Sequence, residues 1–177
     1  FVDKSQLPDD CEVRTLKPVL PIGSQRELSI PFRDSEELIS FNTDKGMDLW
    51  KLALIYESAR GNISEEIVFD KMREIVRILD QSIAQGIAGT SYADRIFSTQ
   101  APNYKLKMLS NSFMNLGLTN DVILAVTALM DIKSSMGIIV AAPTAGACGT
   151  LPGTCLGVAN ALNMSEDQKV KAMLSAG

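Results

Sequence analysis

The strongest periodic signal in this chain runs from residue 64 to residue 86. Ile67, Val68, Met72, Ile75, Val76, Leu79 and Ile83 recur at three- and four-residue steps, with Asp70, Lys71, Arg73, Glu74 and Arg77 mostly between them. That spacing predicts an amphipathic helix with one buried stripe. Ser64 stands where an N-cap belongs, and Glu65 and Glu66 fill the first turn, where the helix dipole favours negative charge. Gly86 reads as its stop. Upstream, Asp34 with Glu37 forms a capping-box-like start for Leu38, Ile39 and Phe41. Met47 to Arg60 carries Trp50 and Leu54 on a dense apolar face, with Gly61 placed as a C-terminal stop.

Beyond residue 86 the pattern loosens, and Ala101-Pro102-Asn103 marks a break. Lys105 to Leu116 reads as helical. Thr119 to Lys133 is apolar on nearly every side, as expected of a helix buried in a bundle. Gly153 to Leu162 can resume a helix, and Ser165 with Gln168 is a second capping box leading into Val170, Met173 and Leu174. Alternating patterns are almost absent, so the predicted fold is an all-α helical bundle with one Gly/Pro-rich loop. Ile138-Ile139-Val140 leaves a short strand near 138–141 open.

Pro8, Pro18, Pro21 and Gly23 interrupt the first thirty residues, which show no sustained period. Residues 1–30 are therefore expected to form an extended arm or interdomain linker ahead of a helical domain over 31–177. At ~100–200 residues per domain, one compact unit is the natural expectation. The chain opens on Phe1 and closes at Gly177 inside a helical pattern, so it is expected to be a piece of something longer, truncated at its C-terminal end.

Charge and composition narrow the function classes. Seventeen Lys and Arg against twenty-one Asp and Glu give a net charge of −4, a poor basis for binding nucleic acid. The absence of histidine removes Ser-His-Asp and Cys-His triads and the His-bearing zinc patterns. Cys11, Cys148 and Cys155 form no C-x-x-C pair, and no signal peptide opens the chain, so a cytoplasmic setting is expected. Residues 1–97 hold twelve basic and seventeen acidic side chains, residues 98–177 five and four, and Ser134 to Ser165 none at all. A membrane span needs ~20 predominantly apolar residues in one helix. Here Pro143, Pro152 and five glycines interrupt the stretch, so burial within protein is the expectation rather than a membrane partner. Asp121 and Asp131 read as solvated helix-end carboxylates, Met108, Met114, Met130 and Met136 as core filler, and Trp50 as a packing anchor.

Candidate chemistry concentrates at Met136 to Thr154, where glycines and prolines are linked by small residues. Such a backbone turns tightly and approaches other groups closely. If Gly149 or Gly153 opens the next helix, several free N–H groups would face one concavity suited to a carboxylate, with Thr144, Thr150 and Thr154 adding hydroxyls. A helix–helix connection that needs small residues for close packing accounts for the same composition equally well. Neither G-x-x-x-x-G-K-[ST] nor G-x-G-x-x-G is present, which disfavours a nucleotide site. Cys148, near a helix start, is either a reactive thiolate or a small buried thiol, and the same bland reading applies to Cys155 and Cys11.

The run Ala142-Pro143-Thr144-Ala145-Gly146-Ala147-Cys148-Gly149-Thr150-Leu151-Pro152-Gly153, preceded by Ser135-Met136-Gly137, resembles the alpha chain or alpha domain of iron–sulfur-dependent L-serine dehydratases. Pro31-Phe32 to Glu37-Leu38, Met47-Asp48-Leu49-Trp50 to Glu57, and Ser165 to Gly177 extend the resemblance to about residues 31–177. The resemblance implies dehydration and deamination of L-serine to pyruvate and ammonia, without pyridoxal phosphate. It implies a [4Fe–4S] cluster held by three cysteines, all expected beyond Gly177, with one iron left open as a Lewis acid. No metal ligand is carried over to this chain. It further implies Pro143, Thr144, Ala145 and Gly146 as substrate-pocket residues, a beta chain or beta domain as partner, and a homo- or hetero-oligomer. Lys105 lies where the family often shows lysine and is a candidate for contacting the serine carboxylate or assisting proton transfer; the alternative is a solvated helix-surface lysine. Rival readings are a related cluster-dependent lyase acting on cysteine or threonine, and a non-catalytic helical scaffold or interaction subunit.

Overall fold

In a computed structural model the described residues are Pro8, Val19, 21–23 and 29–177 except Pro143. Most of the expected arm, Cys11 included, thus lies outside them. The described chain folds into seven α-helices with no strand: α1 Ser35–Asn42, α2 Leu49–Gly61, α3 Glu65–Ala88, α4 Ala101–Leu109, α5 Leu118–Ser134, α6 Thr150–Ala161 and α7 Glu166–Ala176. Residues 137–141 carry no ladder and run as irregular backbone, so the optional strand is replaced by an extended connection. No described helix is long and apolar enough to cross a membrane.

Local chemistry sets the helix starts. Asp34 accepts from Glu37 N at α1, and Ser64 accepts from Ile67 N at α3. Ser165 and Gln168 exchange both hydrogen bonds of a capping box at α7. Two predicted stops are displaced. Gly61 is the last residue of α2, and the left-handed cap is Asn62 (φ 49°). Gly86 lies inside α3, which ends at Gly89 (φ 115°). Both interior glycines are buried because something presses on them: a Cβ at Gly61 would strike Ile22, and one at Gly86 would strike the backbone of Ala128. The predicted break at Ala101-Pro102 is instead the start of α4, with the proline in the first turn where its missing N–H costs nothing. The expected helix 105–116 accordingly shifts to Ala101–Leu109, and 110–117 becomes a connection.

α5 is the centre of the bundle, packed most extensively against α6 and α3. The core joins Val76 and Leu79 of α3, Leu124, Ala128 and Leu129 of α5, Leu156 of α6 and Val170 of α7, each at most 4% exposed. α6 reaches α5 through glycines four residues apart. A Cβ at Gly149 would lie 2.8 Å from Met130 Sδ, at Gly153 2.7 Å from Val126 Cα, and at Gly157 3.0 Å from Val122 Cα. The two helices thus run antiparallel in close backbone contact, an approach only glycine permits. α7 is clamped to α3 at the surface. Arg77 donates to Glu166 through Nε (2.6 Å) and Nη2 (2.9 Å), and Lys169 pairs with Asp80 at 2.7 Å. The hydrogen bond from Arg77 holds the Glu166 carboxyl below its ordinary range, so this link persists above that range and is lost as pH falls through the lowered value.

The glycine contact yields a direct expectation. Gly153→Ala forces α6 away from α5 and costs about 1–3 kcal/mol, or about 2–4 °C of melting temperature per kcal/mol for a chain of this size. Thr154→Ala, on the exposed side of the same helix, should leave the thermal unfolding midpoint close to wild type.

Candidate functional site

The last turn of α5 controls everything around the Gly/Pro-rich loop. Asp131, read from the sequence as solvated, is instead 5% exposed. Its carboxylate accepts from Arg95 Nη2 (2.9 Å), Thr99 Oγ1 (2.9 Å) and the backbone N–H of Gln100 and Ala101 (2.8 Å each). It therefore neutralises a buried guanidinium and satisfies the free donors at the start of α4 together. Arg95 Nε is left as a buried side-chain nitrogen without a partner among the described residues. Sequence spacing concealed this site, because Arg95 and Asp131 are 36 residues apart and no local pattern links them.

From the same turn the loop departs. Ser135 Oγ donates to Asp131 O at 2.8 Å, and Gly137 N returns to Ile132 O at 2.9 Å, closing the helix end. Met136 takes a left-handed conformation (φ 57°). The chain then passes along α3, where Ser82 Oγ donates to Ile138 O at 2.8 Å and Val140 packs on the core. Two residues further, a tight exposed turn forms. Thr144 accepts from Ala147 N at both its carbonyl and Oγ1 (3.2 Å each), and Thr144 O accepts from Ala142 N (3.2 Å). Lys133 Nζ, two residues after Asp131, donates to Ala145 O at 3.3 Å. Cys148 and Gly149 then dive into the core and α6 begins.

Of the four residues expected in a substrate pocket, Thr144, Ala145 and Gly146 lie together on this exposed turn, and Pro143 lies outside the described residues. No hydrogen bond among the described residues uses the Ala145 or Gly146 N–H. Lys105 is half-buried on α4, a helix that packs on α3 and α5 and not on α6, and no hydrogen bond or ion pair links it to the turn. Lys133, which sequence reasoning passed over, does reach it; its position one turn before the loop was the available signal.

Other sequence readings divide. Trp50 does anchor packing, at the edge of the core and under Lys171 Nζ, 4.6 Å from the ring centroid. Met108 packs on the core. Met114 (77% exposed) and Met136 (66%) do not fill it, because they sit on connections rather than on helix faces. Met130 lies partly exposed against Gly149. Gly149, Gly153 and Gly157 serve close packing, so the two readings of the glycine-rich segment partition: packing from Gly149 onward, an accessible turn before it. A separate groove of about 540 Å3 opens between Phe32, α1, α2 and α7, lined by Leu38, Leu49, Tyr56 and Met173 among others, and includes no residue of the turn.

Among the described residues no three Cys, Asp or Glu side chains gather where they could hold a metal ion. Cys148 is 1% exposed, and burial pushes the Cys155 thiol up from its ordinary range. The residues described here therefore do not fit a cluster.

A family model described as serine dehydratase alpha chain matches residues 44–177. The chain belongs to the serine dehydratase alpha chain family. One curated relative, a probable L-serine dehydratase alpha chain of Bacillus subtilis (strain 168), is 24% identical over 146 residues, covering 82% of this chain and 49% of the relative. The chain thus spans about half the length of the curated relative it matches. No solved structure matches it. The match contains α2 to α7, including the turn at 144–146 and the Arg95–Asp131 pair.

Two expectations follow for this serine dehydratase alpha-type chain. Asp131→Ala strands Arg95 and should cost about 3–5 kcal/mol, with amide exchange at Gln100 and Ala101 rising in step. Cys148 and Cys155 should resist alkylation in the native protein and react on adding denaturant, as read by mass spectrometry; rapid native labelling of Cys148 would contradict its burial.

Proposed function

We propose that this chain contributes the serine-binding wall of an iron–sulfur-dependent L-serine dehydratase. The observation that carries this reading is the exposed 144–146 turn, held out from the bundle by Ser82 and Lys133 and matched within the family segment. Dehydration removes the Cα proton and the Cβ hydroxyl of serine as water. The resulting aminoacrylate tautomerises to an imine, and hydrolysis of that imine releases pyruvate and ammonia.

The proposed work of these residues is binding and orientation. The Ala145 and Gly146 N–H groups supply donors to an anionic or hydroxyl oxygen of the substrate, and Thr144 fixes the turn's shape through its two bonds from Ala147 N. Pro143 joins this set by resemblance. Lys105 makes no contact with the turn among the described residues, so the substrate contacts proposed are those of the turn itself. The resemblance implies a [4Fe–4S] cluster, with its cysteine ligands expected from residues beyond Gly177. A beta chain or beta domain is the proposed partner, within a homo- or hetero-oligomer.

The test is turnover by the complete protein with its beta part after anaerobic iron–sulfur reconstitution. Pyruvate should form from L-serine and more slowly from L-cysteine, with 2-oxobutyrate forming slowly from L-threonine, and Gly146→Val should raise KM for serine by about tenfold, equivalent to about 1.4 kcal/mol. Preference for cysteine or threonine would point to a related lyase; no elimination from any of the three would favour a scaffold.

A further inference from the structure

We infer that Lys133 is the group that recognises the substrate carboxylate at the 144–146 turn, an assignment that rests on the dehydratase reading and specifies its substrate contact. Three observations carry it. First, Lys133 Nζ is already at the turn, donating to Ala145 O at 3.3 Å, while the side chain remains exposed. An ammonium has three donors, and this bond uses one.

Second, its charge is uncompensated. The nearest carboxylate in sequence, Asp131, is consumed by Arg95, Thr99 and the first N–H groups of α4. No carboxylate lies within ion-pair distance of Lys133 among the described residues. Third, it is the last charged residue before a stretch that has none until Glu166. The turn, its flanking connection and the start of α6 thus present a single positive charge beside the Ala145 and Gly146 N–H groups, which donate to no acceptor among the described residues. A small zwitterion carries one carboxylate, and that carboxylate is the complement of this arrangement. Lys105 has no comparable relation to the turn.

The experiment uses the complete reconstituted dehydratase and compares wild type with Lys133→Met and Lys133→Arg. Lys133→Met should raise KM for L-serine by about 10- to 100-fold, as expected for loss of one charge-assisted contact, with kcat falling less than about threefold. Lys133→Arg should recover most of the KM, since it keeps the charge. Inhibition by serinol, which lacks the carboxylate, should be the same in wild type and Lys133→Met. Unchanged KM in Lys133→Met, with wild type active, overturns the assignment and leaves the dehydratase reading standing. A fall in kcat alone, equal in both variants and accompanied by a lower melting temperature, also overturns it, because Lys133 would then only brace the turn. A wild-type protein that never releases pyruvate removes the dehydratase reading itself.

Discussion

The close approach of α6 to α5 is the constraint on which the rest of the structure depends. With Gly153 against the Cα of Val126 and Gly157 against Val122, the two helices meet backbone to backbone. Gly86 brings α3 equally close on another side of α5, against Ala128. One helix is thereby held between two others at close range, and a Cβ at any of these glycines would push them apart. Because α6 begins at Thr150 and α5 ends at Ser134, this contact also sets the span that the loop between them must bridge.

That loop is then fastened from the end of α5. Asp131 reaches one way to Arg95 and the start of α4, Ser135 closes the helix, and Lys133 reaches the other way to Ala145. Burying Asp131 and Arg95 together is costly in desolvation, and the four donors around the carboxylate offset that cost only in this one arrangement. The pair is thus better understood as a device for uniqueness than for stability. It fixes the 95–101 segment against the last turn of α5, the same turn from which the loop departs. The tip of the loop, Thr144 to Gly146, is exposed beyond these restraints.

Much of the helical layout was legible in the sequence because it is written locally. Ser64 with its two glutamates, Asp34 with Glu37, and the Ser165–Gln168 box are short-range hydrogen-bond patterns, and each starts a helix where expected. The glycines misled wherever their reason was tertiary. Gly61 and Gly86 read as stops on local grounds, yet each is buried in a helix because Ile22 or Ala128 occupies the space of a side chain. The same blindness applies to charge: Asp131 looks like a surface carboxylate until the fold brings Arg95 to it. Within the site, the run around Thr144 was visible as composition and as family resemblance. Which lysine stands beside it was not, because Lys105 and Lys133 differ only in where their helices pack.

The central claim is that the α5–α6 contact holds out a turn whose N–H groups bind serine. Its most direct measurement is hydrogen–deuterium exchange of the complete protein, with and without L-serine. Selective slowing at Ala145, Gly146 and Ala147, with the α5–α6 core unchanged, is the predicted result. Slowing confined to the Phe32–Tyr56 groove, or none at the turn under saturating serine, would contradict it.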